Sequence, residues 1–371
     1  MEARTAKTTL TGRWSDITGY VEVPHLISGL DFRRPEYRRA VFLRFYDFHL
    51  RYRAHPGCVY YLMPWLAQYY GWNMEQRLWF AFINGNTQNP ITSLLIFQQW
   101  PELTLGIALE SWFDNHWDKL AFDADRRYQK KLFPRACTEY WEAVKSYHSQ
   151  ERFWQFSDFA GYWRTGQSLY GFGSLAAFSY LEYLHIMGLP VQCDTLFLDD
   201  MQGSKSHRNG LAIVLGRDDL DWHKCNTFTV QYSTTLLEWL ENEAALLLQD
   251  AKDFSIYNPH AKDIGYFTLE STLCTYKSWH RKNRRYPNVY NDMLHDRIRA
   301  AEYSWPTIDF SMFWQARREC LPAYLRLENN PLDPGLCPAK QNHYLNTGEV
   351  IGMGLDWPEF RNHFDTRWER L

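Results

Sequence analysis

No C-x-x-C pair occurs anywhere in the 371 residues, and the seven cysteines (Cys58, Cys137, Cys193, Cys225, Cys274, Cys320 and Cys337) are scattered and odd in number. That spacing argues against a disulfide framework and against a zinc or iron–sulfur centre, so no metal and no cofactor are expected, in a reducing compartment. No run of about 18 apolar residues is present, which leaves no transmembrane helix to expect. Met1 to Ser15 is polar and has no apolar stretch of signal-peptide type, so none is expected. Excess charge of either sign is missing too: 40 Lys+Arg against 43 Asp+Glu leaves −3. A wholesale polycation is thereby excluded, and any nucleic-acid face must be a local patch. Internal repeats and Gly/Ser- or Pro-rich linkers are absent, so residues 1–371 read as a single compact unit. No G-x-S-x-G elbow, H-E-x-x-H helix or strand-borne dinucleotide fingerprint appears.

What is abundant is ring. Seventeen Trp, 24 Tyr and 23 Phe make 17% of the chain, within 45% hydrophobic residues. Such content fills a thick core and can also stack on bases. Periodicity near 3.6 marks helices over Glu36–Arg53, Trp79–Ile83, Ile91–Phe97, Leu105–Leu120 and Thr234–Leu248. Asn288–Tyr303 is another, with Pro287 at its start. Phe228–Tyr232 is one of few strand candidates, and alternating runs bounded by hairpin turns are missing. The fold class is mostly α with long loops. Glu328–Thr347, rich in Pro, Asn and Gly, opens an irregular C-terminal wrap over 328–371.

Chemistry concentrates in residues 150–217. Gly171 and Gly173 bracket one residue, and Ser174 opens an apolar helical run ending near Gly188. A G-x-G turn feeding a helix N-terminus offers backbone N–H groups and the positive helix end to a phosphate. Asp194 follows Gly173 by twenty-one residues in a polar break, where it either faces a cleft or caps a helix. Next comes DDMQGSKSHRNGLAIVLG, in which the carboxylates Asp199 and Asp200 precede Lys205, His207 and Arg208. Those donors at a helix start suit a pyrophosphate group, or else form a solvated loop. In FINGNTQNP, Asn84, Asn86, Gln88 and Asn89 carry amides able to read a base edge, although a turn with helix caps is the commoner use. Two basic runs complete the set. Arg126 to Arg135 contains Arg126, Arg127, Lys130 and Lys131. Lys277 to Tyr286 contains Lys277, Arg281, Arg284 and Arg285 with interleaved rings, a composition fitting a phosphate backbone. Glu238, Glu241 and Glu243 read as a solvent face, and His185 as a core histidine. Cys193 is a nucleophile only if it is not simply buried.

Leu169, Gly171, Gly173, Gly188-Leu189-Pro190 and Asp194-Thr195 together resemble the helix-hairpin-helix element of DNA glycosylases. The resemblance implies a two-lobed helical fold in which the hairpin holds a DNA phosphate and Asp194 faces a flipped base. Tyr170 replaces the usual Pro. Leu175 replaces the lyase Lys, so amine-mediated strand cleavage is not implied. Three longer stretches, WFAFINGNTQNP, AFDADRRYQKK and CDTLFLDDMQGSKSHRNGL, are similar to the bacteriophage α-glutamyl/putrescinyl thymidine pyrophosphorylase group, the amino acid:DNA transferases. This likeness implies displacement of pyrophosphate from 5-pyrophosphoryloxymethyl-deoxyuridine in double-stranded DNA by a free amino acid or polyamine, in the cytoplasm of an infected bacterium. Under it Asp194, then Asp199, accept the amine proton, Lys205, His207 and Arg208 take the pyrophosphate, and Arg126 or Arg127 takes the amino acid's carboxylate. A monofunctional glycosylase and a non-catalytic DNA-binding protein are the alternatives.

Overall fold

The structure, a computed structural model, describes residues 35–51, 59–103, 107–200, 203–221, 232–277 and 293–320. Among these residues the chain is helical, without a strand. The helices are α1 (Pro35–Arg51), α2 (Val59–Tyr69), α3 (Met74–Thr87), α4 (Pro90–Gln99), α5 (Ile107–His116), α6 (Phe133–Val144) and α7 (Gln150–Phe153). They continue with α8 (Phe159–Ser168), α9 (Ser174–Ile186), α10 (Lys205–Val214), α11 (Thr234–Phe254), α12 (Tyr266–Tyr276), α13 (Met293–Ser304) and α14 (Ser311–Cys320). The mostly α expectation is met. Of the strand candidate Phe228–Tyr232 only Tyr232 is described, and 288–292 and 328–371 lie outside the described residues.

The sequence offered no cut, yet the fold divides it into two compact units. One comprises 1–58, 195–293 and 318–371, the other 59–194 and 294–317. Each is assembled from segments distant in sequence, which is why no linker composition marks a boundary. The first unit packs α1, α10, α11 and α12 around Phe42, Phe45, Leu211, Leu247, Leu269 and Leu273. Leu196 and Leu198, on the extended chain before α10, complete that core with no exposed surface.

The second unit is built around rings. Phe82 of α3 stacks on Tyr140 of α6 at 4.0 Å, with Tyr180 of α9 and Phe172 close by. Their polar ends are satisfied internally: the Trp154 indole and the Tyr180 hydroxyl each bond the Tyr140 hydroxyl, at 3.1 and 3.2 Å. Much of the aromatic content therefore fills a core rather than a stacking face. Starts of α3 and α4 are set locally. Asn73 forms a capping box with Gln76, and the Asn89 side chain accepts the Ile91 and Thr92 amides ahead of Pro90.

Candidate functional site

The Gly171–Gly173 turn joins α8 to α9, two helices packed on each other. Gly171 has φ +79°, a conformation that a side chain disfavours. Its carbonyl accepts the Arg126 guanidinium at 2.8 Å, and the Phe172 ring lies under the same guanidinium. Gly173, at the N-cap of α9, makes no side-chain cap, and a Cβ there would meet nothing within 4 Å. No side chain caps the first amides of α9 at the positive helix end, where Gly173 is exposed. Ser174 Oγ accepts from Gln167 Nε2 across the turn at 3.2 Å.

The first basic run folds against this turn and splits in two. Arg126 is buried, its three nitrogens bonding the Asn86 carbonyl, the Asn86 side chain and the Gly171 carbonyl. It braces the turn, and carboxylate recognition, the use expected for it, is displaced by these protein acceptors. Lys130 likewise donates to the Trp117 carbonyl. Arg127, Lys131 and Arg135 remain exposed, with Arg127 over Tyr128 and Arg135 over Tyr170 at 4.2 Å. The asparagine cluster serves the turn reading instead of base recognition. Asn84 accepts from Ser93 Oγ, Asn86 donates to the Phe82 carbonyl, Asn89 caps α4, and all three are buried. Gln88, at φ 49°, closes α3.

Past α9, His185 bonds the Val191 carbonyl at 2.9 Å, which suits the structural role expected of it. Asp194 is exposed, and the chain then runs outside any helix through residues 195–198. The Leu196 carbonyl accepts from His207 Nε2 at 2.8 Å, and the Leu198 carbonyl from Arg208 Nη1 at 3.0 Å. Glu241 Oε1 accepts the Leu198 amide at 3.1 Å and the Thr195 hydroxyl at 3.3 Å. Between them Phe197 sits at φ 52°, a left-handed conformation costing a non-glycine residue on the order of 1 kcal/mol. Asp199 is exposed, and Asp200 Oδ1 accepts the Gly203 amide.

His207 and Arg208 are therefore buried and committed to backbone carbonyls, not open to a pyrophosphate as expected. Donor-rich residues at a helix start can turn to either side, and here 207–214 all face inward. Lys205 alone of the three is half-buried. Lys277 is also buried, and its charge lies beside Glu270, which removes it from a surface DNA patch. Arg281, Arg284 and Arg285 lie outside the described residues. Glu241 corrects the solvent-face reading, and Glu243 pairs with Arg39 at 3.2 Å. Glu241 and Glu270 were missed because the groups they hold in the site, Leu198 and His207, lie 43 and 63 positions away.

His207 Nδ1 meets Glu270 Oε1 at 2.9 Å, and Cys274 Sγ donates to the same oxygen at 3.2 Å. These three are the group of metal-ligand type among the described residues, with ligand atoms within 4.8 Å of one another. Both ring nitrogens of His207 face acceptors, so both carry hydrogen and the ring is cationic. Burial opposes that charge, but the hydrogen bonds of Cys274 and Glu270 and the charge of Glu270 outweigh it, raising the imidazole to about 10. Burial likewise pushes the Glu270 carboxyl up, and His207 overcomes this to hold it below its ordinary range. Because the folded His207 value is the higher one, its stabilisation is complete below about 6.5 and fades as pH rises through about 10. Glu270 contributes above its ordinary 4.5 and loses its share as pH falls through its depressed value. Thermal melts should accordingly decline from neutrality toward about pH 10, and Glu270→Gln should flatten that decline; an equally steep alkaline fall in the variant would refute this account.

The amino acid:DNA transferase family matches residues 58–285, a span holding the Gly171–Gly173 turn, Asp194, the clamped stretch and Glu270. The serinyltransferase of Salmonella phage ViI is 27% identical over 320 residues, covering 80% of this chain and 75% of the relative. No solved structure matches. With more than half its length matched by that family, the chain belongs to the amino acid:DNA transferases, enzymes of DNA modification.

Proposed function

We propose that this transferase displaces pyrophosphate from 5-pyrophosphoryloxymethyl-deoxyuridine in double-stranded phage DNA with a free amino acid. The observation that carries the reading is Asp194, an exposed carboxylate set immediately before a stretch whose backbone is held by His207, Arg208 and Glu241. An amino acid's amine is mostly protonated near neutral pH, and a carboxylate beside it can accept the proton as the nitrogen attacks. The nitrogen–methylene bond forms, the methylene–oxygen bond breaks, and pyrophosphate leaves with the electron pair.

The remaining roles follow from exposure. The α8–turn–α9 element works as a helix-hairpin-helix of glycosylase type: amides at Gly173 and Ser174, beyond the Gly171 bend, take a DNA phosphate. Exposed Arg127, Lys131 and Arg135 extend that patch, with Tyr128 and Tyr170 as rings beside it. Lys205 receives the departing pyrophosphate, and Asp199 is the second candidate base. Arg127 is the retained candidate for the amino acid's carboxylate. A target base reached by flipping fits a carboxylate that stands outside the helices. The relative's activity makes serine the first amino acid to test, and a polyamine the second nucleophile. Such an enzyme acts in the cytoplasm of the infected bacterium; no helix among the described residues is long and apolar enough to cross a membrane.

Nucleoside mass spectrometry tests the proposal directly. DNA containing 5-hydroxymethyluracil would be treated with a phage-type kinase and ATP, then with this protein and serine. The expected nucleoside is heavier than 5-hydroxymethyldeoxyuridine by serine less water. Persistence of the kinased nucleotide with serine, other amino acids and putrescine would refute the reaction, and release of a free base would establish the glycosylase alternative.

A further inference from the structure

We infer that His207, held by Glu270, is a positioning residue for the two carboxylates Asp194 and Asp199, acting through the backbone between them. The inference rests on the proposed role of those carboxylates and adds residues that no comparison assigns.

Residues 195–198 belong to no helix and, among the described residues, to no sheet. Their course is fixed by their inward leucines and by side chains borrowed from α10 and α11. Leu196 and Leu198 are fully buried, so the two carbonyls that accompany them need donors inside the protein. His207 supplies one through Nε2, and Arg208, with Ser204 Oγ, supplies the other. Glu241 holds the Leu198 amide. The Leu196 carbonyl stands two residues after Asp194 and three before Asp199, so a shift there moves both.

His207 is itself aimed. Its Nδ1–H points at Glu270 Oε1, and Glu270 takes a further hydrogen bond from Ser271 Oγ at 3.3 Å on its second oxygen. The ring therefore has one orientation in which both nitrogens are satisfied, and that orientation presents Nε2–H to Leu196. Besides its pH-dependent stabilisation, the buried pair fixes the direction of the ring.

The test exploits side-chain shape. His207→Gln places an amide nitrogen near the Nε2 position and keeps the donor to Leu196, whereas the shorter His207→Asn retains reach toward Glu270 only. Steady-state transfer should show kcat lowered up to about 100-fold in His207→Asn, the loss expected for a displacement near 1 Å. KM for serine and affinity for duplex DNA should be unchanged, and His207→Gln should recover most of the rate. Glu270→Gln, which preserves volume and can still accept from the ring, should fall between them and guards against a His207 variant that fails to fold. In an Asp194→Asn background, His207→Asn should add no comparable loss.

Equal rates in the Asn and Gln variants would overturn the inference, as would a full further loss in the Asp194→Asn background. A normal rate in Asp194→Asn sinks the catalytic reading and this inference with it. A dead Asp194→Asn beside a wild-type rate in His207→Asn sinks the inference alone. One zinc ion per purified chain, lost on His207→Asn, also overturns it, because Nδ1 would then be a ligand instead of a donor to Glu270.

Discussion

Gly210→Ala is expected to destabilise the first unit by about 3 kcal/mol or more, or to prevent its folding. Gly210 lies on α10 where it crosses α12, and a Cβ there would stand 2.3 Å from the Leu273 carbonyl oxygen and 2.8 Å from the Leu273 carbonyl carbon. Both obstacles are backbone atoms of a buried helix, so no side-chain rotation relieves the overlap. The helices would have to separate by a good part of an ångström. That movement would open contacts of Leu211, Leu269 and Leu273, whose surfaces are wholly buried. The same crossing sets the site. His207 and Gly210 are three residues apart on α10, as Glu270 and Leu273 are on α12, so the close approach at glycine brings the imidazole to the carboxylate.

A loss near 3 kcal/mol corresponds to a fall in Tm on the order of 4 °C for a chain of this size. Gly265→Ala is the control, since a Cβ there meets nothing within 4 Å and its φ of −164° is ordinary extended backbone. That variant should lose no more than about 1 kcal/mol, the difference between Gly and Ala at an N-cap. Scanning calorimetry on both distinguishes the cases. Wild-type melting of Gly210→Ala would mean that α10 and α12 do not approach as closely as described.

The helical architecture was legible because amphipathic periodicity is a local property. Glu36–Arg53 and Thr234–Leu248 were marked by their apolar spacing, and α1 and α11 occupy those stretches. Asn89-Pro90 likewise combines a side-chain acceptor with a residue pre-set for the first helical turn, and the caps follow. The Gly171–Gly173 bend was visible for the same reason. Positive charge was far less legible. Arg126, His207, Arg208 and Lys277 carry the residue types of an anion site, and all four are buried. Composition reports the donor but not its acceptor. For Arg126 the acceptors are Asn86, 40 positions earlier, and Gly171, 45 positions later; for His207 the carboxylate lies 63 positions on. Glu241 shows the converse. On helix periodicity it belonged with its solvent-facing neighbours, yet an irregular stretch with an unmet amide draws it inward.

The largest effect on chemistry is expected from Asp194→Asn. The substitution is nearly isosteric, and Asp194 is exposed, so no packing is disturbed. It removes the ability to accept a proton at a fixed place. General base catalysis of this kind contributes about 10²–10⁴-fold, and kcat should fall within that range. Affinity for duplex DNA should hold, because the phosphate contacts are assigned to the Gly173–Ser174 amides and to Arg127, Lys131 and Arg135. Single-turnover product formation and fluorescence anisotropy with a labelled duplex separate the two quantities. Asp199→Asn should cost less, since Asp199 is the second candidate; a larger loss there would exchange the roles. Alkaline pH offers an independent check. As pH rises the attacking amine loses its proton to solvent, and the need for a base diminishes. The ratio of parent to Asp194→Asn rates should therefore shrink as the amine titrates, over a range where both proteins remain folded. A ratio that stays constant with pH would show that Asp194 serves to orient the substrate and does not take its proton.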